Sequence, residues 1–292
     1  MILIIDYIGI ALEFFVFQNM HIQKRAVGTS VCNGFLQEPS ILSEQKKHKC
    51  WRRFMNERAI NRAYIPTPHE HVANCLTHGC LIVPSFIAAQ RLISRAKTPE
   101  QYWSSIIYGN ALILLFSFST VFHCSCFHPT YRDSQLRHLL HRIDRAVIYI
   151  FISSSYTPWL LLRSTQTIST TTTITIVWIM ALLGITFQIL FHERYKLLET
   201  CCYIIVGLLP AIVIIDMVEY DGLFEMGVGG FVFLSGVFFF KSDGIIPFAH
   251  AIWHCFVFLG AAIHYYAVYN YLIVPTSQKI DSMTRNNSPL IK

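Results

Sequence analysis

Seven apolar segments, each long enough to cross roughly 30 Å of hydrocarbon, follow one another along the chain. They cover residues 71–93, 103–127, 146–162, 174–191, 200–218, 223–240 and 245–274. This pattern predicts an all-α, polytopic bundle of seven transmembrane helices in one membrane domain, residues 71–274. The composition agrees. Charged residues make up 14% of the 292, against about 25% in soluble domains, and the mean hydropathy is +0.45. The net charge of +6 does not point to nucleic acid, because the basic residues fall in loops and tails and no nucleic-acid motif occurs. It suits topology control and anionic lipid head groups. The nine cysteines are odd in number, form no CxxC pair and fall mostly in or beside apolar runs. They predict neither a disulfide framework nor a cysteine-rich zinc site.

The loops set an expected orientation. Sixteen Lys and Arg lie in the segments on the N-terminal side of the bundle and seven in those on the opposite side. The positive-inside rule then puts residues 21–70 in the cytoplasm and the tail, 275–292, outside or in a lumen. Residues 1–20 are apolar but carry Asp6 and Glu13, with no basic stretch ahead of them. A cleaved signal peptide does not fit, and they are read as a dispensable extension, with an eighth span or an interfacial helix as the alternatives. Residues 27–58 read as a mostly disordered cytoplasmic segment.

Against this background the polar residues inside spans stand out. His250 and His254 are four apart in span seven and share a helix face, an arrangement in which two imidazoles can hold one zinc ion. With the topology above they lie in the inner half of the membrane. Ser119 and His123, again four apart, lie at the inner end of span two, and Asp144 lies just before span three. Glu70, Asn74 and His78 share a face at the start of span one. Ionisable groups inside a membrane gather in the bundle interior and are usually functional. Three histidines plus water make a catalytic-type zinc shell, so His123, His250 and His254 are the candidate metal ligands. Ser119 and Asp144 are candidates to hydrogen-bond the metal-bound water. Glu70, Asn74 and His78 form an additional polar site. The Glu of HExxH is missing, which argues against a zincin protease. Plainer readings stand beside these. A lone intramembrane His is more often a hydrogen-bonded packing residue, Ser119 can bond a carbonyl of its own helix, and Asp144 beside Arg142 and Arg145 fits an interfacial ion pair. His264 lies off the face of His254 and is read as unrelated, and the tyrosines near it as an interfacial belt.

Taken together, Glu70, Asn74, Thr77-His78, Ser119-x-x-x-His123, Asp144, Ser155-Tyr156-Thr157-Pro158-Trp159 and His250-x-x-x-His254 carry a family likeness. This set resembles the progestin and adipoQ receptor family, which includes hemolysin-III-like proteins. Arg53-Phe54-Met55-Asn56, the run from Phe240 to His254 and Ile263-His264-Tyr265-Tyr266 look like its monocyte-to-macrophage differentiation factor branch. The likeness covers roughly residues 52–274. It implies a seven-span fold with a cytosolic N-terminus, zinc on His123, His250 and His254, and Ser119 and Asp144 near the metal. It also implies residence in Golgi, late endosomal or lysosomal membranes. Three functions compete: receptor-like signalling with a bracing zinc, zinc-dependent hydrolysis of lipid amides or esters as in ceramidase-like proteins, and a membrane scaffold with structural zinc. The expected partners are membrane lipids, a lipid substrate or ligand, and other membrane proteins.

Overall fold

A computed structural model describes residues 54–56, 64–126, 134–192 and 194–274. The expectations for residues 1–53 and for the tail from 275 lie outside the described residues. Among the described residues the architecture is all helical, apart from one isolated antiparallel bridge between Thr165 and Met217. Six helical segments are long and apolar enough to cross a membrane. A seventh long helix lies among them, and it accounts for the third expected span.

The first span is a broken rod, α1 (Pro68–Gly79) and α2 (Ile82–Arg95). Its start is written in the sequence. Thr67 accepts from the Glu70 amide, the Glu70 side chain accepts from the Thr67 amide, and Pro68 needs no donor in the first turn. The break precedes Pro84, which has no N–H to give to the carbonyl four residues back. The second span, α3 (Pro99–Ser125), repeats the device, with Thr98 as cap and Pro99 behind it. The third, α4 (Gln135–Leu162), is capped by Ser134 and begins eleven residues before the expected 146. The fourth is α5 (Thr170–Phe191). The fifth is split at Pro210 into α6 (Lys196–Leu208) and α7 (Ala211–Ile215). The sixth, α8 (Leu223–Phe240), has the bounds read from sequence. The seventh, α9 (Ala249–Ala267), runs into a π-helical turn, Val268–Ile273. It starts later than expected because residues 245–248 form the turn around Pro247.

Burial explains the uneven hydropathy. In α8 only 17% of the most apolar stretch is buried, against 61% in α3, so α8 faces lipid while α3 lies inside. The exposed Phe224, Phe231 and Phe238 on α8 suit contact with acyl chains. α4 owes its low hydropathy to the Arg, His and Asp side chains of residues 135–145, and its polar residues 153–157 are all buried. Several of its hydroxyls find partners within the protein, whereas those of Tyr149 and Ser154 are buried without one. Ser153 donates to the Val177 carbonyl (3.2 Å), Thr157 accepts from the Trp178 indole (3.2 Å), and Tyr156 donates to the Gly207 carbonyl. Without water, such internal pairing is what makes a polar helix tolerable. α8 and α9 approach closely at Gly229, where an added Cβ would lie 2.6 Å from the His264 ring nitrogen Nε2.

Candidate metal centre

His123 sits in the last turn of α3, and His250 and His254 in the first turns of α9. The geometry brings them together: one ring nitrogen from each lies within 4.8 Å of the other two. The rings of His123 are 5.1 Å from both His250 and His254, centroid to centroid. Zinc–nitrogen bonds of about 2.0–2.1 Å in tetrahedral array put nitrogens about 3.4 Å apart. The three rings therefore reach that spacing by small side-chain rotations. His123 and His254 are buried and His250 half-buried.

The hydrogen bonds leave the right nitrogens free. The Thr77 hydroxyl has one proton, and it is directed to the carbonyls of Ala73 (2.9 Å) and Asn74 (3.1 Å). Its contact with His254 Nδ1 (2.9 Å) is then one in which Nδ1–H donates to the hydroxyl oxygen. That fixes the tautomer with a lone pair on Nε2. His250 Nδ1 lies 3.3 Å from the Asp243 carboxylate, which can only accept, and the same tautomer follows. These tautomers are assigned from the bonding pattern. His123 Nε2 is buried with no hydrogen-bond partner. An unpartnered nitrogen on His123, and on His254 and His250 a hydroxyl or carboxylate held by Nδ1 that directs Nε2 to act as the donor, are what a metal site requires. The residues present therefore fit the metal expected at this position.

Around the three rings the expected polar groups divide. His78 joins the cluster: its ring stacks on His254 at 3.7 Å and 15°, and its Nδ1 lies 2.8 Å from Ser119 Oγ. Ser119 thus reaches across to α1 rather than back to its own helix. Asp144 lies within electrostatic reach of His250, Arg145 and Ser119. The Arg145 guanidinium donates to Glu199 on α6 at 3.0 Å. Asn74 is buried beside them, with neither amide atom hydrogen-bonded. Glu70 is brought in differently, as a clasp. Its Oε2 accepts from Tyr64 (2.7 Å) and the Thr67 amide (2.8 Å), and its Oε1 receives a longer contact, 3.4 Å, from the Phe248 amide. Phe248 has φ 58°, a left-handed conformation that is strained for a bulky residue. Glu70 therefore ties the start of α1 to the strained turn that launches α9.

Sequence reasoning gave no role to Thr77 or Asp243. Thr77 had a signal, since it lies seven residues after Glu70, within about 20° on the same helix face. Asp243 had none, because it precedes the helix and no periodicity applies to a turn. A third group also escaped notice. His192 Nε2 lies 3.1 Å from His141 Nδ1 and Gln188 Nε2 lies 2.6 Å from His192 Nδ1, linking α4 to α5.

The comparisons with known proteins agree with this geometry. The model of the family described as "Haemolysin-III related" matches residues 67–265, which take in every member of the cluster from Glu70 to His254. The chain belongs to the haemolysin-III related family. Among relatives of this haemolysin-III family chain, the human monocyte to macrophage differentiation factor is 45% identical over 229 residues, covering 76% of this chain and 93% of the relative. Hemolysin-3 of Bacillus cereus is 34% identical over 214 residues, covering 71% and 94%. The family resemblance read from Glu70, His78, Ser119, His123, Asp144, His250 and His254 is thereby confirmed. As a haemolysin-III family chain the protein is a multi-pass membrane protein in contact with membrane lipids.

Proposed function

We propose that this haemolysin-III family chain has a receptor-like signalling role in an internal membrane, and that its working element is a zinc centre on His123, His250 and His254. The observation that carries the reading is the convergence of three ring nitrogens from α3 and α9 within 4.8 Å. Neutral imidazoles with no thiolate suit zinc among biological metals. When bound, the ion supplies a Lewis-acidic brace between two spans, and Thr77 extends that brace to α1. The name of the human relative, a differentiation factor, supports a signalling role. The uneven distribution of Lys and Arg supports placing the centre near the cytoplasmic leaflet.

The second reading is a metal-dependent lipid amide or ester hydrolase. It draws on Ser119, His78 and Asp144, polar groups beside the histidines that ligation alone does not require. The bracing role is put first because the three donors come from two separate spans, α3 and α9, which is what a brace between helices requires. The test is metal analysis of the purified wild type and of His254→Ala, with hydrolysis of a ceramide assayed in parallel. Zinc near one per chain in wild type, absent in the variant, and no hydrolysis in either is the result expected. Zinc-dependent release of fatty acid in wild type moves the chain to the hydrolase reading. Equal metal content in both proteins defeats both readings.

A further inference from the structure

Cys75 on α1 and Cys124 on α3 are not part of the histidine cluster, yet their sulfurs lie 3.3 Å apart. The register of the two helices explains why. One turn further along, at Gly79, an added Cβ would sit 3.4 Å from the Thr120 methyl. Cys75 and Gly79 are four apart on one helix, and Thr120 and Cys124 four apart on its antiparallel neighbour. Small side chains thus hold the two helices close over a full turn, with the thiols directly opposite one another. Among the described residues, Cys75 and Cys124 are distinguished by this contact. Cys80 and Cys255 are exposed, and Cys126 directs its thiol to the Phe122 carbonyl. A disulfide needs sulfurs about 2.05 Å apart, so about 1.2 Å of approach remains, within the reach of side-chain rotation.

We propose that Cys75 and Cys124 are an oxidisable pair, a modification site at which a hydroperoxide forges a disulfide between the first and second spans. Cys124, the less buried of the two, takes one oxygen from hydrogen peroxide; the O–O bond breaks, a sulfenic acid forms and one water leaves. The Cys75 sulfur then attacks the sulfenic sulfur. The S–O bond breaks, and hydroxide departs with the Cys75 proton as a second water. Two thiols and one peroxide give one disulfide and two waters. Transient disulfides of this kind are the form that redox-sensing cysteines take in reducing compartments. The bond would staple α1 to α3 next to His123 and two residues before Thr77, fixing two of the elements that surround the metal centre. The pairing itself does not depend on the metal.

The test uses the full chain in detergent micelles, treated with stoichiometric hydrogen peroxide, capped with N-ethylmaleimide and digested without reductant. Mass spectrometry is expected to find the Cys75 and Cys124 peptides joined, two hydrogens lighter than the free pair and separable by dithiothreitol. In Cys75→Ser the sulfenic acid has no resolving thiol, so Cys124 is trapped by dimedone instead. Both thiols capped by maleimide while Cys80 and Cys255 oxidise would overturn the proposal. So would equal dimedone labelling of Cys124 in wild type and variant, or a disulfide found only between chains. Zinc content, read in the same samples, reports on the metal reading separately.

Discussion

His254 and His264 lie on one helix, both are buried, and their surroundings have little in common. His254 faces three other imidazoles and the Thr77 hydroxyl, contributed by three separate helices. His264 lies against Gly229 and, edge to face at 5.6 Å, against Phe233. Burial of an ionisable side chain is common to both ends of α9 and so distinguishes nothing. What distinguishes the two is convergence: at one end polar groups from different spans meet, and at the other a single ring fills a gap between α8 and α9. His264 also has unpartnered ring nitrogens, but they face Phe233 and Gly229, whereas His254 lies among other imidazoles and is therefore the candidate ligand.

The comparison breaks most decisively at the metal. His254→Ala or His123→Ala removes one donor of three, and metal affinity is expected to fall by more than about 100-fold, beyond what loss of a supporting hydrogen bond causes. His264→Ala is expected to leave metal content at the wild-type level while lowering thermal stability by roughly 1–3 kcal/mol. Metal analysis and a melting curve on each variant decide the matter, and loss of metal in His264→Ala would erase the distinction between the two ends.

Thr77→Val keeps the shape and removes the acceptor that fixes the His254 tautomer. Its affinity for metal is expected to drop by about 10–100-fold with the fold intact. Competition with a chelator of known affinity measures this. An unchanged affinity would mean that the hydroxyl is only a helix-internal donor to Ala73. At the other end of the helix, Gly229→Ala forces a methyl against the His264 ring, at a cost of about 1–3 kcal/mol for overpacking. The double variant Gly229→Ala with His264→Ala should recover most of that loss, since the clash needs both partners.

The fold was legible where lipid dictated the residue type. The bounds of α8 could be read directly because, apart from Glu225 and Ser235, it is apolar and Lys241 follows its last residue. α4 was legible only in part. Residues 135–145 continue the helix with Arg, His and Asp side chains, and hydropathy registers these as loop although the backbone bonds run on. The breaks at residues 79–81 and near 210 have their cause in Pro84 and Pro210, yet apolar composition masked them. At the site, four-residue spacing marked His250 with His254 and Ser119 with His123, because a helix converts spacing into direction. The pairing of His78 with Ser119, and of His250 with Asp243, depends on how separate segments meet, and no local period encodes that. Two of the tyrosines after His264 also make contacts that no local period encodes. Tyr271 donates to Glu225 at 2.7 Å and Tyr265 to the Ala88 carbonyl at 3.3 Å, so these two hydroxyls are paired inside the protein.

The smallest expected effect concerns the end of the bundle where His264 lies, and it sharpens the contrast through pH. Asp216 follows α7, outside the spans. Its carboxylate accepts from the amides of Ile168 (2.8 Å) and Thr167 (2.9 Å) and from the Thr167 hydroxyl (2.8 Å). These bonds, the Ile168 amide first, hold its pKa below the ordinary carboxylate value. A depressed folded pKa means that the unfolded chain takes up the proton more readily. The bonds therefore stabilise fully above the unfolded value of about 3.9, and that contribution is lost as pH falls through the lower, folded value. Asp216→Asn should melt slightly below wild type at pH 5.5, the gap should narrow toward pH 3, and metal content should not change at either pH. A gap of the same size at both values would mean that the loop is held by its shape and not by the charge. A change in metal content would mean that the two ends of the bundle communicate, and the division between packing end and ligand end would have to be given up.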